Sequence, residues 1–323
     1  MKWSLAKPLL LTQEEPKMRS DGMLILGDWG TTVNRLYLCK WQYASLTIID
    51  RIEGLGTKNN PDPESSFFNL AKPWFAQFGD MTVYLIGTVG SNIGWKMVDY
   101  VPCPTDHSPS LEKALRFNAR GIDFVIFPGL SCTNMHGLPD SMRGEETQIF
   151  GFLATQKNPP EKQILCLPGT HTKWVLVENG LVSTFLTSPI GELYEVLCLH
   201  SVLLKSATVK DWDDDGFVQG LHLSKRPSSS LLHTIFATRS QQVIDGYNNA
   251  QAAGFLSGLL IGADVKSAQR SFDSFSHVVL IGTSHVNSLY EEAFHFNDIT
   301  TEICSSEIAT TKGIIRVASE EWS

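Results

Sequence analysis

The feature that most constrains the fold is a hairpin pattern that occurs twice along the chain. In its first copy, the apolar run Met23 to Leu26 ends at the turn Gly27-Asp28-Trp29-Gly30-Thr31-Thr32, and an alternating run follows from Val33 to Cys39. Short apolar or alternating runs that flank a glycine-bearing turn predict two paired strands. A further run from Leu46 to Ile52 predicts a third strand, so this segment is predicted to form a three-stranded meander.

The same layout returns in the second half of the chain. Gln163 to Leu167 predicts a strand, Pro168-Gly169-Thr170-His171-Thr172 a turn, and Lys173 to Val177 the returning strand. After the hairpin signal Asn179-Gly180, the run Leu181 to Leu186 predicts the third strand of this copy. The duplication is one of architecture, since no residue-level repeat accompanies it. Two such meanders predict two related lobes whose turns face each other.

The residues of the first turn point to a chemical role. A tight turn between strands needs glycine, but it does not need Asp28 or the hydroxyls of Thr31 and Thr32. Backbone amides and hydroxyls can surround an anion, and a carboxylate can hold Mg²⁺ or its waters. Ordinary turn chemistry explains a single copy equally well, but the second Gly-Thr turn favours phosphate binding.

Two further turns follow predicted strands. The apolar run Thr82 to Ile86 leads into Gly87-Thr88-Val89-Gly90-Ser91-Asn92-Ile93-Gly94-Trp95, and Val278 to Ile281 leads into Gly282-Thr283-Ser284-His285. Ligands of open sheets collect at the carboxyl ends of strands, so the first loop is a candidate substrate contact. The second turn enters a helix and could accept the ribose or base of a nucleotide. A plain flexible turn is the alternative for the first loop.

A charged segment precedes a predicted helix in the first half of the chain. Asp140-Ser141-Met142-Arg143-Gly144-Glu145-Glu146-Thr147-Gln148 leads into an amphipathic helix that extends through Phe152 and Leu153. Glutamates at the start of a helix gain from the helix dipole without any catalytic role. A glutamate placed opposite a phosphate site could instead act as a general base. Both interpretations stay open at this point.

Bulk properties favour a two-lobed enzyme. The 323 residues exceed one average domain, and the 42% of hydrophobic residues can fill two cores. A net charge of −8 argues against binding to nucleic acid or to a membrane surface, and no run approaches the ~20 apolar residues of a membrane helix. The six cysteines form no CxxC pair, which is typical of reduced thiols in the cytoplasm.

The order of these motifs resembles a known family. The Asp-Trp-Gly-Thr turn, Met-Arg-Gly-Glu-Glu-Thr-Gln, Leu-Pro-Gly-Thr-His-Thr-Lys-Trp and the late Gly-Thr turn are similar to those of the 2-dehydro-3-deoxygalactonokinases, which are sugar-acid kinases of the actin, hexokinase and heat-shock chaperone ATPase superfamily. The resemblance extends from Met23 to Ala318. Residues 142–148 and 167–174 carry the family-specific motifs, and the first hairpin belongs to the whole superfamily.

The resemblance implies a fold and a division of the chain. The fold would be α/β, a two-lobed actin-like ATPase (ribonuclease H-like) fold, in which each lobe is a mixed sheet with an antiparallel three-strand start and flanking helices. Residues 1–22 would be a poorly ordered extension, residues 23–160 the lobe with the sugar acid and the first phosphate turn, and residues 161–323 the lobe with the second phosphate turn and the adenosine site. The oligomeric state stays open, with a homodimer among the alternatives.

The resemblance also implies a role for each motif. Asp28 would organise Mg²⁺, Glu145 would be the catalytic base, and Glu146 is its nearest competitor. ATP would contact the three turns and a lysine beside them: Gly30, Thr31, Thr32, Gly169, Thr170, His171, Lys173, Gly282 and Thr283. The sugar acid would contact Gly90, Ser91, Asn92, Trp95 and Arg143. Whether His171 acts through its side chain or only through its amide stays open.

One loop departs from the family pattern. After Gly90-Ser91 the family usually continues Arg-Gln-Gly-Trp, with Met in the place of Thr88, whereas this chain has Asn92-Ile93-Gly94-Trp95. If that arginine binds the carboxylate of the substrate, its loss removes a charge-assisted hydrogen bond of ~1.5 to 3 kcal/mol. Three other cations could take its place, and the sequence does not choose among Arg143, Arg35 and Lys173. The reaction type is therefore better defined than the acceptor.

The reaction implied is in-line phosphoryl transfer from MgATP to the 6-hydroxyl of 2-dehydro-3-deoxy-D-galactonate. The products would be 2-dehydro-3-deoxy-6-phosphogalactonate and ADP, and closure of the lobes would exclude water. Three alternatives stay open. A kinase of the same fold could act on a different aldonate or sugar, a non-catalytic sensor could bind the sugar acid, and an ATP-driven chaperone or filament subunit could use the same nucleotide site.

Overall fold

The structure of the chain is a computed structural model that describes residues 22–43, 45–204, 212–227 and 230–322. The extension expected over residues 1–22 lies outside these ranges except for Gly22, which begins the first strand. The described residues form two large sheets, one small sheet and the helices that cover them.

The first half of the described chain contains most of the strands. Its elements are β1 (Gly22–Trp29), β2 (Val33–Gln42), β3 (Ser45–Leu55), α1 (Pro63–Phe78), β4 (Thr82–Gly87), β5 (Val101–Pro102), α2 (Ser108–Glu112), β6 (Leu115–Ala119), β7 (Ile122–Ile126), β8 (Leu130–Thr133), β9 (Pro139–Met142) and α3 (Glu145–Leu153). The meander predicted here is confirmed, and each of its strands extends a few residues beyond the apolar run that predicted it.

The second half is richer in helix. Its elements are β10 (Lys162–Leu167), β11 (Thr172–Glu178), β12 (Leu181–Ser188), α4 (Ile190–His200), α5 (Asp214–Lys225), α6 (Leu231–Thr234), α7 (Ala237–Ile244), α8 (Asn249–Ser271), β13 (His277–Gly282), α9 (Ser284–Phe296), β14 (Thr300–Ser305) and α10 (Ser306–Trp322). The second predicted meander is also confirmed. Its last hairpin turns at Asn179 and Gly180, which adopt φ angles of +52° and +79° as a two-residue turn requires.

The two large sheets have the same topology. The first has the strand order β3-β2-β1-β4-β7-β6 and the second β12-β11-β10-β13-β14. In each sheet the three strands of the meander are antiparallel, and the next two strands are parallel to the first strand of the meander. Strand β6 is an antiparallel addition at the edge of the first sheet. The duplication predicted from the two turns therefore extends to every strand of the first sheet except β6.

Each large sheet is buried on both faces, as the apolar runs of its central strands require. In the first sheet, Ile25 and Leu85 face the core under α1, whereas Leu24 and Leu26 face a second core that includes Ile314 of α10. The second sheet has a corresponding pair of cores, one of them under α8 and α9. The carboxyl ends of the parallel strands of both sheets face the space between the sheets.

A small sheet and two helices join the two halves. Strands β5, β8 and β9, which the sequence analysis did not predict, form this small sheet. Val101, Leu130 and Met142 of the small sheet share a core with Leu165 and Val175 of the second large sheet.

The backbones of α3 and α10 are in direct contact. A Cβ on Gly151 of α3 would overlap the carbonyl oxygen of Ala309, and one on Gly313 of α10 would overlap the carbonyl oxygen of Thr147. Both contacts therefore require glycine. Helix α10 also contacts the first large sheet through Ile314, so the last helix of the described chain returns to the first half.

None of the helices within the described ranges is long and apolar enough to cross a bilayer. The six cysteines of the chain are all free thiols. Burial raises the pKa of the thiols of Cys39 and Cys103 to about 12, so both stay protonated at neutral pH.

Candidate active site

A cavity of about 520 Å³ lies where the two predicted phosphate turns face each other, a size typical of small-molecule sites. Its wall includes Asp28 and Glu145 in addition to both turns. The carboxyl ends of β1, β4, β10 and β13 and the first residues of α3, α9 and α10 contribute to it. The lining residues from these elements are Asp28, Trp29, Gly30, Thr31, Gly87, Thr88, Arg143, Gly144, Glu145, Gln148, Leu167, Pro168, Gly169, Thr170, His171, Ile281, Gly282, Thr283, Ser284, Ser305, Ser306, Glu307 and Thr310.

Backbone hydrogen bonds from the segment that follows β3 hold the first turn in place. The amide of Gly30 donates to the carbonyl of Val33 at 2.9 Å, which closes the turn. The amides of Thr57 and Lys58 donate to the carbonyls of Gly30 and Thr31 at 3.2 and 2.9 Å. The turn is thus held rigid while Gly30 and Thr31 line the cavity. Thr32 is exposed and is not among the lining residues; its carbonyl accepts from the amide of Gly56 at 2.9 Å.

Asp28 lies near the end of β1, directly across the ladder from Arg35 of β2. Its carboxylate is 3.7 Å from the guanidinium of Arg35. Burial raises the pKa of Asp28 above its ordinary value, the nearby charge of Arg35 lowers it in part, and that of Glu145 adds to the rise. The carboxylates of Asp28 and Glu145 therefore interact across the cavity, which is the arrangement that a bound cation would relieve.

Glu145 and Glu146 begin α3 but point in different directions. Gly144, with φ of +110°, turns the chain into the helix. Glu145 lines the cavity; its carboxylate accepts from the amide of Arg143 at 3.2 Å and lies 3.9 Å from the ammonium of Lys173. Glu146 is only 3% exposed and accepts from the amide of Gly144 at 2.6 Å. Of the two candidate bases, Glu145 alone belongs to the wall that the structure describes.

Burial raises the pKa of Glu146 to about 8, and the neighbouring charge of Glu145 contributes to this rise. Glu146 is therefore mainly a neutral carboxylic acid at pH 7. A protonated carboxyl group cannot accept a proton from an alcohol, so its protonation state as well as its direction disfavours Glu146 as the base.

The second turn is braced by the start of α4. The amide of Glu192 donates to the carbonyl of Thr170 at 3.0 Å, and Gly191 approaches Gly169 and Thr170 so closely that a Cβ would overlap the turn. The ring of His171 contacts the carboxylate of Glu192 at 2.8 Å. The His171 side chain thus has a structural contact of its own while His171 also lines the cavity.

Lys173 lies just beyond the second turn, in β11. It is 5% exposed and is not part of the cavity wall, and its ammonium lies 3.9 Å from the carboxylate of Glu145. A buried ammonium needs an anionic partner, and Glu145 supplies one. This position connects a strand of the second sheet to the start of α3.

The third turn carries Gly282 and Thr283, which line the cavity between β13 and α9. Asn287 fixes this turn, because its amide donates to the carbonyl of Thr283 at 2.9 Å and its side chain donates to the carbonyl of Gly282 at 3.2 Å. Ser284 then begins α9.

A second, more apolar cavity of about 310 Å³ adjoins the main one and shares Gly169 and Thr170 with it. It lies between α4, α8 and α9, and the ring of Trp212 stands at its edge, 6.4 Å from the ring of His285. This cavity was not predicted from the sequence, because its walls come from helices that are distant in the chain. Its other main lining residues are Tyr194, Ser257, Leu260, Ile261, Val286 and Leu289.

The loop after β4 is divided between the cavity and the core. Gly87 and Thr88 line the cavity, and the hydroxyl of Thr88 donates to the carbonyl of Trp29 at 2.7 Å. Gly90, Ser91, Asn92 and Trp95 are outside the cavity wall. The ring of Trp95 packs edge-on against Phe124 at 4.8 Å, within the aromatic core under α1.

Arg143 lines the cavity from the turn before α3. Its Nη2 donates to the carbonyl of Val98 at 2.6 Å, and its guanidinium lies 4.3 Å from the centre of the Tyr100 ring.

A chain of charged residues that was not predicted from the sequence forms another part of the cavity wall. Arg35 contacts Asp28 and Glu53, while Arg51 contacts Glu53 and lies 2.8 Å from Glu307 of α10. Arg35, Arg51 and Glu307 all line the cavity together with Tyr37. No sequence signal could have joined them, because Arg51 and Glu307 are 256 residues apart.

The fold and this site together define a class of protein. Two lobes with one repeated sheet topology, whose glycine turns face each other across a cavity, are the two-lobed actin-like ATPase fold. A crystal structure of a Sinorhizobium meliloti protein provisionally assigned as a 2-dehydro-3-deoxygalactonokinase has this fold, with a TM-score of 0.80 and 24% identity over 93% of this chain and 99% of that one.

The family follows from the sequence comparisons. A profile of the 2-keto-3-deoxy-galactonokinase family matches residues 28–317, so the chain belongs to this family and is a sugar-acid kinase. The 2-dehydro-3-deoxygalactonokinase of Escherichia coli (strain K12) is 29% identical over 90% of this chain and 96% of the relative. A Rhizobium meliloti (strain 1021) protein provisionally given the same activity is 26% identical over 94% and 99%. The expected family, fold and kinase activity are confirmed, and ATP and a sugar acid are the small molecules the protein uses.

Proposed function

We propose that this kinase transfers the γ-phosphoryl group of ATP to the 6-hydroxyl of 2-dehydro-3-deoxy-D-galactonate. The observation that carries the proposal is that Asp28, Glu145, Gly30 and Gly169 line one cavity. Two phosphate turns, a carboxylate for a metal ion and a carboxylate for a proton are the groups that such a transfer requires. The products are ADP and the 6-phosphorylated sugar acid.

ATP lies with its triphosphate between the two turns. The amide of Thr31 on one side and the amides of Gly169 and Thr170 on the other donate to the phosphate oxygens. The ribose lies at Gly282 and Thr283, and the adenine enters the apolar cavity beside Trp212. That cavity supports this placement because it adjoins the second turn and because an aromatic base favours apolar walls.

Mg²⁺ would be held by Asp28, and the residues present fit this ion. Magnesium binds through one or two carboxylates together with substrate phosphates, and it needs no cage of protein ligands. Asp28 supplies one carboxylate whose pKa is raised by burial and by Glu145, so a nearby cation would stabilise its charged form. When bound, the ion would neutralise charge on the phosphates.

Glu145 is the base of the proposed transfer. Its carboxylate takes the proton of the 6-hydroxyl as the bond from O6 to the γ-phosphorus forms and the bond from that phosphorus to the bridging oxygen of ADP breaks. The contacts from Lys173 and from the amide of Arg143 hold this carboxylate in place. Closure of the two lobes on the substrates would exclude water and so suppress hydrolysis of ATP.

The acceptor decides between this proposal and its nearest alternative. The loop Asn92-Ile93 differs from the family pattern, and this favours testing a different aldonate or sugar as the acceptor. A panel of sugar acids and neutral sugars in a coupled ADP assay gives the answer, with the highest kcat/KM expected for 2-dehydro-3-deoxy-D-galactonate. A higher kcat/KM for another acceptor would identify that acceptor as the substrate. Binding of a sugar acid without formation of ADP would support the non-catalytic sensor.

Asp28 can be tested in the same assay. Asp28→Asn should abolish turnover and leave the fold intact, because the amide cannot organise the metal ion. Near-normal kinase activity in a folded Asp28→Asn protein would contradict the role given to this residue.

The location of the enzyme and its assembly complete the proposal. Free thiols and the use of ATP support a cytoplasmic location. A homodimer stays a prediction, which sedimentation of the purified protein would test.

A further inference from the structure

We propose that Arg143 binds the carboxylate of the acceptor and thereby makes this kinase selective for sugar acids over neutral sugars. This inference rests on the proposed function, since it concerns the acceptor of the same reaction. It follows from the charges of the cavity wall, from the donors of Arg143 that have no partner, and from the position of Arg143 relative to Glu145.

Three arginines line the cavity, and two of them already have carboxylate partners. Arg35 contacts Asp28 and Glu53, and Arg51 contacts Glu53 and Glu307. Within the described ranges, the guanidinium of Arg143 has no carboxylate at ion-pair distance. Its positive charge is therefore the one in the described wall that an incoming anion can match without displacing a protein partner.

The donors of Arg143 support the same conclusion. Nη2 donates to the carbonyl of Val98, but Nε and Nη1 are buried and have no hydrogen-bond partner. A buried donor without a partner is costly, and most such groups in folded proteins are paired. A carboxylate that enters beside the guanidinium would satisfy donors of this kind, because the planar group presents a fork of N–H bonds that matches two carboxylate oxygens.

The surroundings hold the guanidinium in place. The ring of Tyr100 lies on one side, at 4.3 Å. Gly90 lies on another, where an added Cβ would stand 2.8 Å from Nη1. The space occupied by the guanidinium therefore depends on the absence of a side chain at residue 90.

The direction of the Arg143 side chain suits a substrate with its two functional groups far apart. The guanidinium contacts Val98 and Tyr100, whereas Glu145, two residues later, contacts Lys173. The side chains of Arg143 and Glu145 thus begin at the same turn but contact different residues. In a six-carbon sugar acid the carboxylate and the 6-hydroxyl are at opposite ends, so Arg143 can hold one end while Glu145 meets the other.

The test compares an acid with a neutral analogue in two arginine variants. The acceptors are 2-dehydro-3-deoxy-D-galactonate and its C1 carboxamide, and kcat/KM is measured for each at saturating ATP. Arg143→Gln should lower kcat/KM for the acid about 10- to 100-fold more than for the amide, the effect of one charge-assisted hydrogen bond. Arg143→Lys should retain part of the selectivity, since a point charge remains.

Arg51→Gln is the matched control, because Arg51 lines the same cavity but already has carboxylate partners. It should affect the acid and the amide by the same factor. Unchanged selectivity in Arg143→Gln, or an equal loss of selectivity in Arg51→Gln, would overturn the inference.

A second variant protects the test against misfolding of Arg143→Gln. Gly90→Ala leaves the charge in place but displaces the guanidinium, so it should also lower selectivity for the acid. Retained selectivity in a folded Gly90→Ala protein would count against the inference. If the wild-type enzyme phosphorylates no sugar acid at all, the proposed function fails; if it does so but both variants keep its selectivity, only the role of Arg143 fails.

Discussion

Replacement of Gly191 by alanine tests whether the second phosphate turn must keep its present shape. Gly191 lies in the first turn of α4, against the backbone of Gly169 and Thr170. An added Cβ would overlap the carbonyl oxygen of Gly169 and stand 2.8 Å from Cα of Thr170, where an ordinary contact begins at 3.4 Å. Backbone atoms cannot rotate away as the end of a side chain can. The turn or the start of α4 must therefore shift by several tenths of an ångström.

The expected effect is on ATP. A misplacement on the order of 1 Å can cost roughly 10²-fold in rate, so kcat/KM for ATP should fall by up to ~100-fold. The KM for the sugar acid should change much less, because Arg143 and Glu145 belong to other elements. Overpacking of this kind costs ~1 to 3 kcal/mol of stability. The effect on ATP is measured in a coupled ADP assay with varied ATP, and thermal unfolding of the same variant measures the loss of stability.

Gly220 provides a control with a similar clash at a different place. A Cβ there would overlap the carbonyl oxygen of Phe255 and stand 2.6 Å from the amide nitrogen of Leu259, where α5 packs on α8. Gly220 lines neither of the two cavities described above. Gly220→Ala should lose stability and keep kcat/KM for ATP. A normal kcat/KM for ATP in folded Gly191→Ala, or an equal fall in Gly220→Ala, would refute the reasoning.

Three further predictions concern buried or cavity carboxylates. Glu145→Gln should lower kcat by ~10² to 10⁴ without unfolding the protein, whereas Glu146→Gln should keep most of the turnover; the opposite pattern in the ADP assay would make Glu146 the base. Burial raises the pKa of Glu146 from 4.5 to about 8, so its contribution to the free energy of unfolding should be lost as the pH rises through this window. Urea titrations at several pH values should show this loss in the wild type and a smaller one in Glu146→Gln; equal slopes would contradict it. Asp264 accepts from the indole of Trp174 at 3.0 Å and the hydroxyl of Tyr290 at 2.9 Å, so Asp264→Ala should lower the free energy of unfolding by ~1 to 3 kcal/mol for each donor left unpaired. Asp264→Asn keeps one acceptor oxygen and should lose less, and equal losses in urea denaturation would argue against these bonds.

The meanders and turns could be predicted from the sequence because their signals are local. Apolar alternation and glycine turns such as Asn179-Gly180 depend only on neighbouring residues, so they can be recognised in the sequence before the rest of the fold is known. The small sheet could not be predicted in this way. Its strands β5, β8 and β9 have two to four residues each, too few to show a period.

The candidate site shows the same division. Motif likeness indicated Asp28, Glu145 and the three turns, which all line one cavity. The contact between Arg51 and Glu307 depends on how α10 packs, and no local pattern carries that information. Trp95 shows the reverse problem: its place in a glycine-rich loop suggested a ligand, but an aromatic ring next to Phe124 gains more from burial in a core.

The close backbone contact between α3 and α10 has a practical consequence for the enzyme. Glu145 begins α3, and the backbone of α3 contacts the backbone of α10 at Gly151 and Gly313. Because no side chains separate the two helices there, a displacement of α10 would be transmitted to α3. Removal of residues 306–322 would take away the helix against which α3 packs, so it should displace Glu145, more than 150 positions away in sequence.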